Sequence, residues 1–205
     1  LEDALRHSLN LPAVATLERI GAGRFQAALT RAGADVRLPR RAVSEPGLAL
    51  ALGGVGMTLE DLVQLYAALG DEGRARPLSI DSDGAFPFTR RFVRADTAER
   101  VLDILASSPH PAGRAPAALA RDAPMVAFKT GTSYGFRDAW AVGVWNGYAI
   151  GVWVGRPDGA PRAGAGLRRG PGAARRGGGM TRAPGAQLWG WRETGELTCR
   201  RTDHR

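Results

Sequence analysis

Ala139-Trp140-Ala141-Val142-Gly143-Val144-Trp145-Asn146-Gly147-Tyr148-Ala149-Ile150-Gly151-Val152-Trp153-Val154-Gly155 decides how this chain is read. Two apolar runs flank Asn146-Gly147. Asn-Gly between such runs is the strongest short hairpin signal, because both residues tolerate positive φ. The dipeptide also interrupts the longest apolar stretch in the sequence, which therefore reads as two strands and a turn rather than a membrane span. Upstream, Met125 to Thr132 has the character of a third strand.

Before residue 125 the period is helical. Leu1 to Arg6 reads as the end of a helix, and Ser8-Leu9-Asn10 breaks it. Pro12 suits the first turn of the next helix, which carries Val14, Leu17 and Ile20 and stops at Gly21 or Gly23. Phe25, Ala28 and Leu29 keep helical spacing up to Gly33. A loop follows from Asp35 to Gly47. Thr58-Leu59-Glu60-Asp61 fits a capping-box start, and Leu59, Leu62, Val63, Tyr66 and Leu69 form one apolar stripe ending at Gly70 or Gly73. Arg74 to Ile80 suggests a short extended piece. Asp96-Thr97-Ala98-Glu99 reads as the cap of a further helix carrying Val101, Leu102 and Leu105. Pro109 to Pro116 reads as a loop with a short helix after it. Tyr66, Trp145 and Trp153 are expected in the core. A helical region followed by three antiparallel strands is an α+β arrangement.

The 205 residues suffice for one domain with a sizeable core. Residues 160–205 differ in texture: Gly, Arg, Ala and Pro dominate, and such a composition buries too little surface to offset ordering entropy. This tail is expected to be disordered or the product of a shifted reading frame. It also holds most of the excess charge. Leu1 to Gly155 carries 17 basic and 16 acidic residues, whereas Arg156 to Arg205 carries 11 basic and 4 acidic. The near-neutral body argues against nucleic-acid binding; only the tail is a candidate polyanion arm. One cysteine, Cys199, leaves neither an internal disulfide nor a zinc site, and no metal or cofactor is expected. No signal-peptide pattern opens the sequence.

Of the 28 basic side chains, 27 are arginine and one is lysine, Lys129. An ammonium is compact and titrates when buried, whereas a guanidinium stays charged. A position that keeps an amine in so arginine-rich a chain points to chemistry that needs one. Lys129 opens Lys129-Thr130-Gly131-Thr132 at the end of a strand, and Ser8-Leu9-Asn10 lies in a helix break. Ser-x-Asn and Lys-Thr-Gly accompany Ser-x-x-Lys in the penicillin-binding and β-lactamase superfamily. The plainer readings are that Ser8 and Asn10 cap the helix at Pro12, and that Lys129 is a solvated edge charge.

The longer context resembles class A penicillin-binding proteins. Arg6-His7-Ser8-Leu9-Asn10-Leu11-Pro12-Ala13-Val14 is similar to their Ser-x-Asn region. The run from Lys129 through Gly135-Phe136-Arg137-Asp138-Ala139-Trp140-Ala141 resembles the 1C branch, as do Trp153 to Gly159 and the Leu52-Gly53-Gly54-Val55-Gly56 turn. The resemblance covers residues 1–159 and implies part of a β-lactamase/transpeptidase-like fold. It implies acyl transfer on the D-Ala-D-Ala end of peptidoglycan stem peptides, which β-lactams mimic, at the periplasmic face of the inner membrane. By that resemblance Ser8 relays a proton, Asn10 holds the substrate carbonyl, and Lys129 favours the anionic substrate while depressing neighbouring amine pKa values. Thr130 and Thr132 contact the substrate carboxylate. Gly131 lets the substrate backbone lie against the strand, and the Thr132 N–H is one oxyanion donor.

One departure is decisive: no Ser-x-x-Lys occurs in the sequence. The expectation is a fragment of a bifunctional enzyme whose nucleophile, glycosyltransferase domain and membrane anchor lie upstream, not itself acylated, and with an open sheet edge. The alternatives are a non-catalytic remnant or a module that binds peptidoglycan peptides. Lys-Thr-Gly-Thr also follows the phosphorylated aspartate of cation pumps, but Phe128 occupies that place here.

Overall fold

Thr58 and Asp61 start the helix on which the rest of the fold is assembled. In a computed structural model, which describes residues 1–38, 47–77, 89–109, 125–133, 137–156 and 160 and the strands at 187–192 and 197–201, Thr58 Oγ1 accepts from the Asp61 N–H at 3.0 Å. Asp61 Oδ2 in turn accepts from the Thr58 N–H at 3.1 Å. This reciprocal pair closes the capping box at the head of α4 (Leu59–Gly70).

Three shorter helices precede it: α1 (Glu2–Arg6), α2 (Asn10–Ile20) and α3 (Ala22–Arg31), with a 3-10 turn at Leu48–Leu52. β1 (Arg74–Ala75) and β2 (Arg90–Arg91) form a small antiparallel pair, and α5 (Ala95–Ala106) follows. The main sheet has five strands in sequential order: β3 (Ala127–Thr132), β4 (Ala139–Trp145), β5 (Tyr148–Val154), β6 (Gln187–Arg192) and β7 (Leu197–Arg201), all antiparallel.

The β4–β5 hairpin has the expected limits, and its turn residues Asn146 and Gly147 have φ of 47° and 76°. Its register pairs Val144 with Ala149 and Val142 with Gly151. Cross-strand partners share a face of the sheet, and all four are buried. Leu59, Val63 and Ala67 of α4 cover that face with Val144 and Ala149, and Tyr66, Leu102, Trp140 and Trp153 pack around them. Gly151 allows the close approach: a Cβ there would lie 2.4 Å from Val63 Cγ2. The other side of α4, through Leu65 and Ala68, packs on Leu29, Ala32, Ala34 and Ala75. Gln64 is buried between these layers, and its Nε2 donates to the Ala32 carbonyl at 2.8 Å, so its desolvated amide has a partner. Burial of Tyr66 pushes its phenol up to about 12.

The three expected strands pair antiparallel as β3, β4 and β5, and two further strands in the tail, β6 and β7, extend the sheet to five. The β5 edge is paired with β6, Trp189 opposite Gly151, and among the described residues the open edge expected of the sheet is that of β3. This pairing of β5 with β6 is non-local, and in sequence β6 shows only the isolated apolar cluster Leu188, Trp189 and Trp191 after a Gly- and Arg-rich stretch. The α5 helix starts at Ala95 with Arg94 as N-cap and no side-chain cap. Asp96, the expected start, instead accepts from Arg94 and from the Thr97 N–H. Trp145 is 45% exposed at the hairpin tip rather than in the core. The short helix expected after Pro116 falls outside the described residues.

Candidate active site

Ser8 sits in the break between α1 and α2 with φ of 54°, a left-handed conformation that a serine seldom adopts. No side chain caps α2, whose N-cap is Leu9. The capping role is therefore not the one Ser8 plays. Its hydroxyl points across the fold instead: Lys129 Nζ donates to Ser8 Oγ at 2.5 Å, joining residues 121 positions apart. The same ammonium donates to the Thr130 carbonyl at 2.9 Å. Lys129 is half-buried, and burial holds its pKa below the usual lysine value. A freely solvated edge lysine would show neither contact.

Two layers of contacts bring Ser8 to this point. The α5 helix packs on β3, and α1 packs on α5. Arg6 Nε donates to Ser107 Oγ at 2.9 Å, just past the end of α5, and Arg100 of α5 pairs with Glu2 of α1. The Arg100 bond holds the Glu2 carboxyl below its usual range. These contacts suspend the α1–α2 turn over the middle of β3.

Between turn and strand lies a cleft of about 260 Å³ lined by Arg6, His7, Ser8, Ser108, Pro109, Phe128, Lys129 and Thr130. Three of the six site residues expected from sequence, Ser8, Lys129 and Thr130, meet in it. Asn10 opens α2 and is exposed, outside the lining. Gly131 and Thr132 continue β3 beyond the cleft and are exposed. The Thr130 carbonyl accepts from Lys129, so it faces away from β4. Alternate residues of a strand point their backbone groups to the same side, which directs the Thr132 N–H to that free edge too. Among the described residues, β3 has no partner on that edge.

Arg6, His7, Ser108 and Pro109 were not expected at the site. Arg6 and His7 are chain neighbours of Ser8, a signal that proximity in sequence carries. Ser108 and Pro109 arrive through the docking of α5, which leaves no local pattern.

The far end of β3 is braced by a polar bracket. The Ser133 N–H donates to the Asp138 carbonyl at 3.0 Å, and the Asp138 N–H donates to Ser133 Oγ at 2.8 Å. Trp153 Nε1 donates to Asp138 Oδ1 at 3.0 Å. These residues hold loop and sheet together, and the Trp140 ring lies 6.2 Å from that of Trp153. Among the described residues no cluster of His, Cys, Asp or Glu is arranged to hold a metal.

Comparison with known proteins bears on this arrangement. The transpeptidase family, described as the penicillin binding protein transpeptidase domain, matches residues 1–159. Penicillin-binding protein 1C of Escherichia coli (strain K12) is 44% identical over 164 residues. Those residues are 80% of this chain and 20% of that protein, so the chain spans about a fifth of its relative's length. The match runs from α1 through β5 and takes in both the serine turn and the lysine strand, and on that extent the chain belongs to the penicillin-binding protein transpeptidase domain family.

Proposed function

We propose that this chain supplies the proton-relay and substrate-seating part of an acyl-transfer site that cross-links peptidoglycan, acting on stem peptides ending in D-Ala-D-Ala and recognising β-lactams as mimics. The observation that carries the reading is the Lys129–Ser8 hydrogen bond at the free edge of β3. Ser8 moves a proton between the reacting centre and Lys129. Lys129, half-buried and cationic, attracts the substrate carboxylate. Thr130 and Thr132 contact that carboxylate, and the outward Thr132 N–H donates to the developing oxyanion, a contact worth roughly 3–4 kcal/mol in such sites. Asn10 reaches the substrate's peptide carbonyl from the head of α2.

Strand addition along β3 is supported by Gly131. A Cβ at that position would meet only the Trp140 Cβ at 3.8 Å, an ordinary contact. Packing thus gives no reason for glycine there, whereas a peptide lying on the strand does. The nucleophile of the cross-linking reaction is a Ser-x-x-Lys serine, which this sequence does not contain. The site is then one half of a larger one in a parent enzyme on the periplasmic face of the membrane. Among the described residues no helix is long and apolar enough to cross a membrane.

The same missing motif favours a second reading, a peptide-binding module without catalysis. Both readings require the β3 edge to accept the peptide. Because Lys129 is the sole lysine, selective lysine labelling with carbon-13 gives one side-chain resonance. Titrating the full chain with a peptide ending in D-Ala-D-Ala should shift that resonance saturably, and the L-Ala-L-Ala peptide should not. A resonance indifferent to both peptides rejects the site. In the full-length parent, Lys129→Ala should abolish penicillin labelling of the Ser-x-x-Lys serine; undiminished labelling rejects the catalytic reading and leaves the binding one.

A further inference from the structure

We infer that Ser8 and Lys129 form a serine–lysine pair able to take an acyl group on Ser8 itself, so that this chain is slowly acylated by a β-lactam although it holds no Ser-x-x-Lys. The missing motif removes one serine–lysine pair, and the fold builds another. A nucleophile is recognised by a base within hydrogen-bond reach and a third group that orients the base. Here Oγ and Nζ are 2.5 Å apart and the Thr130 carbonyl, 2.9 Å away, fixes the amine. Ser8 is exposed at the mouth of the cleft. Its left-handed backbone, an outlier of the kind that clusters at reactive positions, presents the hydroxyl from a tight turn.

The step balances within these groups. With Lys129 neutral, the Ser8 O–H donates to Nζ. Oγ attacks the lactam carbonyl carbon as its proton moves to Nζ, giving a tetrahedral oxyanion. Collapse of that adduct breaks the ring C–N bond. The proton passes from Lys129 to the departing ring nitrogen, leaving an ester on Ser8 and a neutral amine. The oxyanion develops in a cleft that is also lined by Arg6 and Thr130.

Among the described residues the titratable groups facing Lys129 are few. The α1–α2 turn brings Arg6 and His7, the end of α5 brings Ser108 and Pro109 with no carboxylate, and on β4 the register partner is Val142. Burial is the cause of the lowered Lys129 pKa, and among the described residues no carboxylate opposes it. Neutral amine is therefore reached at lower pH than for a solvated lysine.

The test uses the full chain with excess fluorescent penicillin at pH 7 and pH 9, followed by denaturing gel and peptide mapping. One label per folded chain is expected, on the tryptic peptide spanning residues 7–19, whose only serine is Ser8. The adduct should be an ester, released by neutral hydroxylamine. Its rate should rise toward about tenfold per pH unit while Lys129 is mostly protonated. Ser8→Ala should remove the label. Lys129→Arg, which keeps the charge but gives no base, should slow labelling on the order of 100-fold. Chain unfolded in urea should not label. Mapping the unmodified sequence decides the matter even if a variant fails to fold. No label after hours, a hydroxylamine-resistant amide on Lys129, or equal labelling in urea overturns the inference.

Discussion

Gly151→Ala tests how tightly the α4 helix is seated on the sheet, and its cost can be worked out. The new Cβ would lie 2.4 Å from Val63 Cγ2 and 2.9 Å from Leu59 Cδ1. Favourable carbon contacts begin near ~3.5 Å, so α4 must lift by roughly 1 Å or its side chains must leave their rotamers. Val63 is fully buried, and a β-branched residue in a helix has essentially one χ1 to use, so it cannot turn away. Overpacking of this kind costs about 1–3 kcal/mol, offset by about 0.4–1 kcal/mol from a less flexible unfolded chain. The net expectation is a loss of roughly 1–2 kcal/mol. Val63→Ala removes two buried methyl groups and leaves a cavity, about 2–3 kcal/mol. In the double variant the alanine methyl enters the space Cγ2 has left, so its destabilisation should fall short of the sum by about 1 kcal/mol or more. Urea unfolding of the four chains, followed by tryptophan fluorescence with unchanged m-values, measures the coupling. Additivity within about 0.5 kcal/mol would refute the seating of Val63 over Gly151.

Thr58→Ala removes the side-chain acceptor of the Asp61 N–H and should cost about 1 kcal/mol in the same urea assay. Asp138→Ala leaves the half-buried Trp153 indole N–H without its acceptor and should cost about 1–3 kcal/mol. Asp138→Asn retains an acceptor oxygen and should cost less than half as much; equal losses would show that the bond contributes nothing. For Lys129 the folded-state pKa lies below 10.5 and the cause is burial. Between that lowered value and 10.5 the unfolded chain binds more protons, so stability from this group rises with pH across the window. Urea midpoints measured from pH 8 upward should show that rise in the parent chain and lose it in Lys129→Met.

What the sequence made legible follows the range of the physics involved. The β4–β5 hairpin is local, because Asn146-Gly147 sets the turn and the turn sets the register. The head of α4 is equally local, since Thr58 and Asp61 satisfy each other within one turn. At α5 a local rule misled by two residues: Asp96 can cap, but the N-cap is Arg94, and Arg94 and the Thr97 N–H take the Asp96 carboxylate. For β6 and β7 local signals are weak, a single cluster of Leu188, Trp189 and Trp191, and the β5 ladder they extend makes them strands. The site divides in the same way. Ser8 and Lys129 were visible as motif residues, and the amine stood out among arginines. Arg6 and Ser108 were not, since their place depends on how α5 lies against β3. Trp145 looked like core by residue type, yet the hairpin ends beside it and among the described residues it is 45% exposed.

The two halves of the Ser8–Lys129 contact rest on unequal foundations. Lys129 belongs to β3, whose partner β4 is fixed by the α4 core of Val63, Val144 and Ala149. Ser8 follows α1, a five-residue helix with no buried residue. Isolated helices of that length are unstable in water, so α1 is held by what it touches. Its Ala4 and Leu5 are half-buried, and its polar contacts to the rest of the fold are the Glu2–Arg100 pair and the Arg6–Ser107 bond, both exposed. Exposed ion pairs contribute about 0–1 kcal/mol each. On the α1 side partial burial and a few such contacts hold the serine to the lysine, whereas burial of whole side chains holds the lysine to the core. The lysine strand is thus the fixed wall of the cleft and the serine turn its adjustable one. A peptide or lactam that adds to the β3 edge meets a preformed strand, and it can draw the Ser8 turn onto itself at small cost. The hydrogen bond between Ser8 and Lys129 makes that closure specific, because the turn has one strong partner on the strand and it is the only amine side chain in the sequence.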